Sequence, residues 1–395
     1  NSIATSTITL SGFVGSETLT SSNLSSFNNK NVGTDKTVTV NSITLADGTN
    51  GGLAANYSIS TGQTTTADVT AKSLTVSGIT ASNKTYDGST SATMDGTSAV
   101  YSGLVTGDTV TRTYSGLFDT ANVGTGKTVT ITPSYGGTDV NNYTITDQAS
   151  TTANVTAKAL TATASTSNKT YDGTTTATTT LTFSGLAGSE TLGQTVGSTF
   201  NNKNVGTDKT VTVNSITLAD GTNGGLALNY SISSGQTTTA NITAKALTVS
   251  GITASNKTYD ANAVATLDAT SVAYTGLVAG DVFNGTYTGA FSDKNVGTGK
   301  TVTITPSYTG ADVSNYSVTD HSTITANITA KALTVSGITA SDKTYDGNAV
   351  ATLNTGSVLY SGLINGDTFS GTYTGAFNNA NVGTGKTVTI TPSYS

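Results

Sequence analysis

Thr128-Val129-Thr130-Ile131-Thr132-Pro133-Ser134-Tyr135 alternates threonine with a β-branched apolar residue until a proline interrupts it. A period of two puts Val129 and Ile131 on one face and the threonines on the other, the pattern of a half-buried strand. Thr37-Val38-Thr39-Val40 does the same, and there Asn41-Ser42 shifts the phase so that Ile43 and Leu45 change parity. A phase slip in one copy and Pro133 at the position of Ser42 in the other predict a bulge or sheet edge at that point. Gly-rich turns such as Asp47-Gly48-Thr49-Asn50-Gly51-Gly52 and Gly136-Gly137 punctuate the strands. No stretch sustains a 3.6-residue apolar stripe, and one helical turn at most fits Ala290-Phe291-Ser292-Asp293-Lys294-Asn295.

The strand recurs because the whole chain does. Lys-Thr-Tyr-Asp begins at Lys84, Lys169, Lys257 and Lys343, in steps of 85, 88 and 86. Asn-Val-Gly-Thr begins at Asn31, Asn122, Asn204, Asn295 and Asn381, and Asn-Tyr pairs end at Tyr57, Tyr143, Tyr230 and Tyr316. Four landmarks, with Ala-Lys as the fourth, share one period of about 86 residues, so the chain is a tandem array. Cutting at Ala-Lys gives modules 1–71, 72–157, 158–244, 245–330 and 331–395. The first lacks its start and the last its end, so the natural chain is expected to extend in both directions. Two flavours occur. Phe27–Lys72 and Phe200–Lys245 differ at only four positions, while the modules of Tyr86, Tyr259 and Tyr345 carry Thr-Pro-Ser-Tyr instead. At the module boundary Ile324-Thr-Ala-Asn-Ile328-Thr-Ala-Lys331-Ala-Leu333-Thr-Val335 reads as one uninterrupted strand, its core-facing parity switching at Lys331-Ala332. That predicts modules in contact and a stiff, elongated rod rather than beads on Gly/Ser linkers.

Composition sets the class. Only 35% of residues are hydrophobic, but Thr, Val, Ile and Tyr are plentiful, which suits pleated sheets and not disorder. A net charge of −6 without clustered Lys or Arg argues against nucleic acid. No apolar run is long enough to span a membrane in this stretch. With no Cys, no Trp and one His (His321), the chain lacks the ingredients of a zinc set or a catalytic triad.

Motifs that resemble sites read better as structure. Val123-Gly124-Thr125-Gly126-Lys127-Thr128 lacks the first glycine of a phosphate loop and leads into a strand, so it reads as a tight turn before that strand. The only Asp that recurs in this reading (Asp87, Asp172, Asp260, Asp346) sits in the Tyr-Asp-Gly turn, where it is expected to bind its own backbone. Asp220-Gly221-Thr222-Asn223-Gly224 reads as a bare turn in preference to a weak calcium loop. Tyr86, Tyr171, Tyr259 and Tyr345, with Tyr57, Tyr143, Tyr230 and Tyr316, are the largest recurring side chains. They fit a core that has no Trp, hydroxyls at the rim, better than sugar-stacking platforms. Lys84, Asp87 and Asn122 recur in step, as a Lys–Asn isopeptide bond would require, but a solvated Lys at the module edge is the ordinary outcome. No catalytic, cofactor-binding or metal residue is assigned.

Lys84-Thr-Tyr-Asp-Gly88, Asn122-Val-Gly-Thr-Gly-Lys127, Asn142-Tyr143 and Thr152-Ala-Asn-Val-Thr-Ala157 resemble the YDG and MBG repeat modules of large bacterial exoproteins of the filamentous-haemagglutinin type. The fourth module departs, with Tyr259-Asp260-Ala261 in place of the glycine; since Ala avoids positive φ, the site is expected not to require a left-handed backbone. The resemblance implies all-β, small tandem modules, β-grasp-like or β-sandwich. It also implies export by two-partner secretion with an outer-membrane partner, an extracellular or cell-surface location, and a part in adhesion or biofilm matrix. A structural stalk or filament is the leading expectation, and a polyvalent carbohydrate-binding array the alternative. Extracellular polysaccharide or other copies of the chain are the partners either would meet.

Overall fold

The computed structural model describes all 395 residues. The chain is all-β, and its only helical residues form four three-residue 3-10 turns, Ala54–Asn56, Val140–Asn142, Ala227–Asn229 and Val313–Asn315. Each comes just before a Tyr of the Asn-Tyr pairs. The helical turn expected at Ala290–Asn295 does not form: the chain leaves strand Asn284–Phe291 and bends directly into Gly297–Thr309, because those residues close a hairpin.

The second module shows the plan. Its strands are β1 (Lys72–Ser77), β2 (Thr80–Ala81), β3 (Lys84–Thr85), β4 (Ser91–Ala92), β5 (Met94–Asp95), β6 (Val100–Ser102), β7 (Thr111–Phe118), β8 (Gly124–Gly136), β9 (Tyr143–Thr146) and β10 (Ser150–Thr156). A three-stranded sheet has the order β6-β1-β9, with β9 parallel to β1. A five-stranded sheet has the order β3-β10-β8-β7-β4, with β3 parallel to β10, and β2 pairs with β5. The fourth module repeats both orders.

The 13-residue β8 serves two cores. Val129 packs with Tyr86, Phe118, Ala153 and Val155, while Ile131, two residues on and facing the same way, packs with Val76 and Ile79 under the three-stranded sheet. Pro133 lies opposite Tyr114, past the last residue of β8 that β10 pairs, so its missing N–H falls on a free edge. In the first module the ladder slips at the same place, with Leu24 opposite Ser42 and Ser25 opposite Val40, leaving Asn41 as a bulge. Both devices stand where the phase slip and the proline indicated.

Three readings need correction. The Gly-Thr-Gly-Lys stretch is not a turn ahead of the strand but lies inside it, as a bulge between Gly124 and Lys127 against β10. Gly126 has φ +59° there, and its N–H is taken by Asn154 Oδ1 at 2.7 Å. The boundary strand is not continuous: β10 ends at Thr156 and a new strand, Lys158–Ala159, starts after Ala157, as Thr237–Thr243 gives way to Lys245–Ser250 around Ala244. At the boundary read as one strand the break is four residues, 330–333, between Thr323–Thr329 and Thr334–Ser336. Finally, Ala261 does adopt the left-handed backbone, with φ +63°, like Gly88 at +80°, Gly173 at +79° and Gly347 at +78°. The turn imposes the conformation even where the side chain resists it.

Contacts gather the chain into two compact bodies. One comprises Asn1–Thr163, Leu181–Val196 and Ile216–Ser234; the other comprises Ala164–Thr180, Gly197–Ser215 and Gly235–Ser395. The division passes through the third module, and each meeting of two successive modules lies inside a single body.

A left-handed alanine costs about 1 kcal/mol or somewhat more relative to glycine. Ala261→Gly should therefore stabilise the fourth module and slow exchange of the Tyr259 amide, which donates to Thr329 O at 2.9 Å, by roughly fivefold. Unchanged exchange would mean that the alanine sits there without strain.

Candidate functional site: the joint between modules

The Lys-Thr-Tyr-Asp-Gly turn is closed by its own ends. Lys84 Nζ pairs with Asp87 Oδ1 at 2.7 Å and donates to Ser89 O at 2.9 Å and Ser91 O at 3.1 Å. Asp87 Oδ1 also accepts the Ser89 N–H at 2.8 Å. Lys169 with Asp172, Lys257 with Asp260 and Lys343 with Asp346 repeat the ion pair. Ser89 Oγ at 3.1 Å is a fourth acceptor for the ammonium, and Nζ lies 5.8 Å from the Phe118 ring centroid. This Lys is not a solvated edge residue: its ammonium is bonded to Asp87, Ser89 and Ser91 within its own turn. Asp87 does not point away from Lys84 as a regular strand would have it, because the two-residue β3 ends before it.

With Lys and Asp tied into the turn, the tyrosine between them reaches the following module. Tyr171 donates to Asp281 Oδ2 at 2.8 Å, Tyr86 to Glu190 Oε1 at 2.5 Å, and Tyr259 to Asp367 Oδ1 at 2.8 Å. The carboxylate is held from its own side by the Asn-Tyr pair: Tyr316 donates to Asp281 Oδ2 at 2.5 Å, Tyr230 to Glu190 Oε2 at 2.7 Å, and Tyr143 to Asp108 Oδ2 at 2.7 Å. The two tyrosines meet edge to face, 5.6 Å apart for Tyr171 and Tyr316 and 5.3 Å for Tyr86 and Tyr230.

The remaining motif closes the joint. Asn315 Oδ1 accepts the Val205 N–H at 2.9 Å, Asn229 Oδ1 the Val123 N–H at 2.9 Å, and Asn142 Oδ1 the Val32 N–H at 2.9 Å. Asn229 is 0% exposed, and its amide also donates to Asn122 Oδ1 at 3.0 Å. A buried amide left without partners costs about 1–3 kcal/mol, so the buried Asn229 and Asn315 fix where the preceding module can lie. Each asparagine is the last residue of its 3-10 turn, which aims the side chain. Apolar packing follows the same path: Tyr86, Phe118, Val129, Ala153 and Val155 share one core with Leu160, Ala187 and Tyr230 of the next module. Tyr171, Phe200, Val211 and Ile242 likewise share one with Leu247, Phe283 and Tyr316.

The charges are set by these contacts. Burial pushes the Asp281 carboxyl up, but hydrogen bonds from Tyr316, Tyr171 and Lys203 outweigh it and hold the group below the usual carboxylate range. Burial and then Asp281 push Tyr316 up to about 12, and burial with Glu190 pushes Tyr86 up to about 12. Lys203 is held above the usual ammonium value by Asp312, Tyr171 and Asp281, and Lys30 by Asp108 and Asp139.

Six of the landmark tyrosines thus belong to one of two sides. Tyr86, Tyr171 and Tyr259 give a hydroxyl forward, and Tyr143, Tyr230 and Tyr316 receive the preceding module, their hydroxyls turned on the shared carboxylate rather than on the rim. Tyr57 bonds Glu17 of its own module. Tyr171 is 1% exposed, whereas Tyr345 is 63% exposed, since these 395 residues hold no further module to meet it. Asp220 closes its own turn onto the Ala227 N–H at 2.8 Å. The sequence reading missed the acid: besides the Tyr-Asp-Gly aspartates a second set recurs, Glu17, Asp108, Glu190, Asp281 and Asp367. The exchange of Glu for Asp between flavours, with a shift in local spacing, hid a period that is present in the chain.

A family model for the YDG domain matches residues 1–67, 70–153, 156–240, 243–325 and 329–395. No curated protein and no solved structure matches the chain.

Stability should depend on pH at both ends. Asp281 has a folded pKa below its unfolded value, so its contribution is complete above about pH 4 and drains away as the pH falls below that. Tyr316 and Tyr86 have raised folded values, so theirs is complete below about pH 10 and is lost as pH rises towards 12. Ultraviolet titration of the tyrosines should show a late class ionising only as the joints open. A titration complete by about pH 11 would contradict the geometry.

Proposed function

Because the chain belongs to the YDG domain family, five modules in series, we propose that it is a structural spacer, a stalk or filament segment whose work is to hold successive modules in fixed relation. The observation that carries this reading is that the most recurrent side chains are committed to the joints. Tyr171, Asn204-Val205 and Asn315-Tyr316 at the third joint, and Tyr86, Asn122-Val123 and Asn229-Tyr230 at the second, all contact the neighbouring module. A polyvalent sugar-binding array needs an exposed aromatic in each module, yet only Tyr345 and Tyr394 of the 17 tyrosines are exposed. A spacer needs no catalytic constellation, and the chain is read as having none.

The setting proposed with it is a secreted bacterial surface protein, exported through an outer-membrane partner and acting in adhesion or biofilm matrix. Support comes from the resemblance of the repeat motifs and from a lightly charged, Thr/Ser/Gly/Asn-rich surface without cysteine. Polysaccharide or neighbouring copies would be met by other parts of such a protein.

Single-particle imaging of the full chain should show one narrow distribution of bend at each joint. Broad distributions at every joint would make the chain a flexible tether and overturn the spacer reading.

A further inference from the structure

The joints are not all alike, and their differences are matched across the interface. The residue just before Asn-Val-Gly is Lys30, Ala121, Lys203, Lys294 and Ala380 in the five modules. At the first and third joints the receiving module presents two aspartates to that lysine. Lys30 Nζ lies 2.7 Å from Asp108 Oδ1 and 2.8 Å from Asp139 Oδ1, and Lys203 Nζ lies 3.1 Å from Asp281 Oδ1 and 2.9 Å from Asp312 Oδ1. At the second joint the lysine is replaced by Ala121. There the receiving module has Glu190 at the place of Asp281, and Leu226 caps the 3-10 turn at the place of Asp312. Glu190 already takes a hydroxyl on each oxygen, from Tyr86 and Tyr230, and Ala121 joins the apolar core.

Flavour alone could explain that alternation, but the fourth joint separates the two explanations. Module four has the Thr-Pro-Ser-Tyr flavour, as module two does, and by flavour would carry alanine. It carries Lys294 instead, and the module after it is again of the aspartate kind, with Asp367 lining the same cleft as Lys294 and Tyr259. The lysine therefore follows the identity of the next module and not that of its own.

We infer that this position and the two facing it form an adjacency code, which selects the kind of module that may dock onto a given one. Lys is matched to the Asp–Asp face and Ala to the Glu–Leu face. Mismatches are disfavoured on both sides. Alanine against Asp281 and Asp312 leaves two nearly buried carboxylates side by side without a cation. Lysine against Glu190 and Leu226 meets one carboxylate whose oxygens are both occupied, and a hydrocarbon. The code has a use during folding. Modules one and three are almost identical from Phe27 and Phe200 onward, and arrays of near-identical modules are prone to misassembly between wrong neighbours or between copies of the chain.

The test uses the full chain and native-state hydrogen exchange at neutral pH, with the Val205 amide reporting the third joint and the Val123 amide the second. Lys203→Ala should speed Val205 exchange about tenfold or more and leave Val123 unchanged. Adding Asp281→Glu and Asp312→Leu, which rebuild the receiving face in the other pattern, should restore protection to within about threefold of the native chain. The reciprocal Ala121→Lys should loosen Val123, with rescue by Glu190→Asp plus Leu226→Asp, and decides the matter if the first series fails to fold. Rescue at either joint supports matching. A reconstructed face that exchanges as fast as the single substitution, or a Lys203→Ala chain as protected as the native one, overturns it.

Discussion

At the second and third joints a carboxylate is bonded by two tyrosine hydroxyls, and one of the two comes from the preceding module. Asp281 has a side chain 3% exposed and accepts Tyr171 from one module and Tyr316 from its own. Remove the preceding module and the acid loses a hydrogen bond, Asn315 loses the Val205 N–H, and Leu247, Phe283 and Tyr316 lose the apolar half that Tyr171, Phe200 and Val211 supply. The rest of the architecture follows from this mutual dependence. Neither face is a finished surface alone, so the array is built from joints as much as from modules.

The second module serves a joint on each side. In the second module β8 places Val129 in the core shared forward and Ile131 in the core beneath the receiving sheet, so one rigid strand connects them. The short Lys-Thr-Tyr-Asp-Gly turn, locked by Lys84 and Asp87, sets the tyrosine that reaches forward. The same turn forces Ala261 into a left-handed conformation, which shows that tyrosine placement outranks local preference.

Much of this could be read from the sequence, for reasons tied to particular residues. The alternation through Val129 and Ile131 fixes strand and face because side chains in a strand repeat every two residues. Pro133 and Asn41 mark the edge and the bulge because a missing N–H and an extra residue have few other places to go. The size of the landmark tyrosines in a chain without Trp pointed to burial. What could not be read is where their hydroxyls end. Tyr171 and Asp281 are 110 residues apart and in different modules, and no local rule links them. The recurring acid was masked because Glu190 does with a longer side chain what Asp281 does with a shorter one. The 3-10 turns before each Tyr of the Asn-Tyr pairs were missed because three residues carry no period.

The dependence of the joint on the tyrosine–carboxylate–tyrosine bridge is tested most directly by a double-mutant cycle on the full chain. Tyr171→Phe and Asp281→Asn would be compared singly and together, by exchange protection at the Val205 amide. A coupling of about 1.5–3 kcal/mol between the two substitutions is expected, the range for a hydrogen bond to a charged group. Strict additivity would mean that Tyr171 only fills space, and would contradict it.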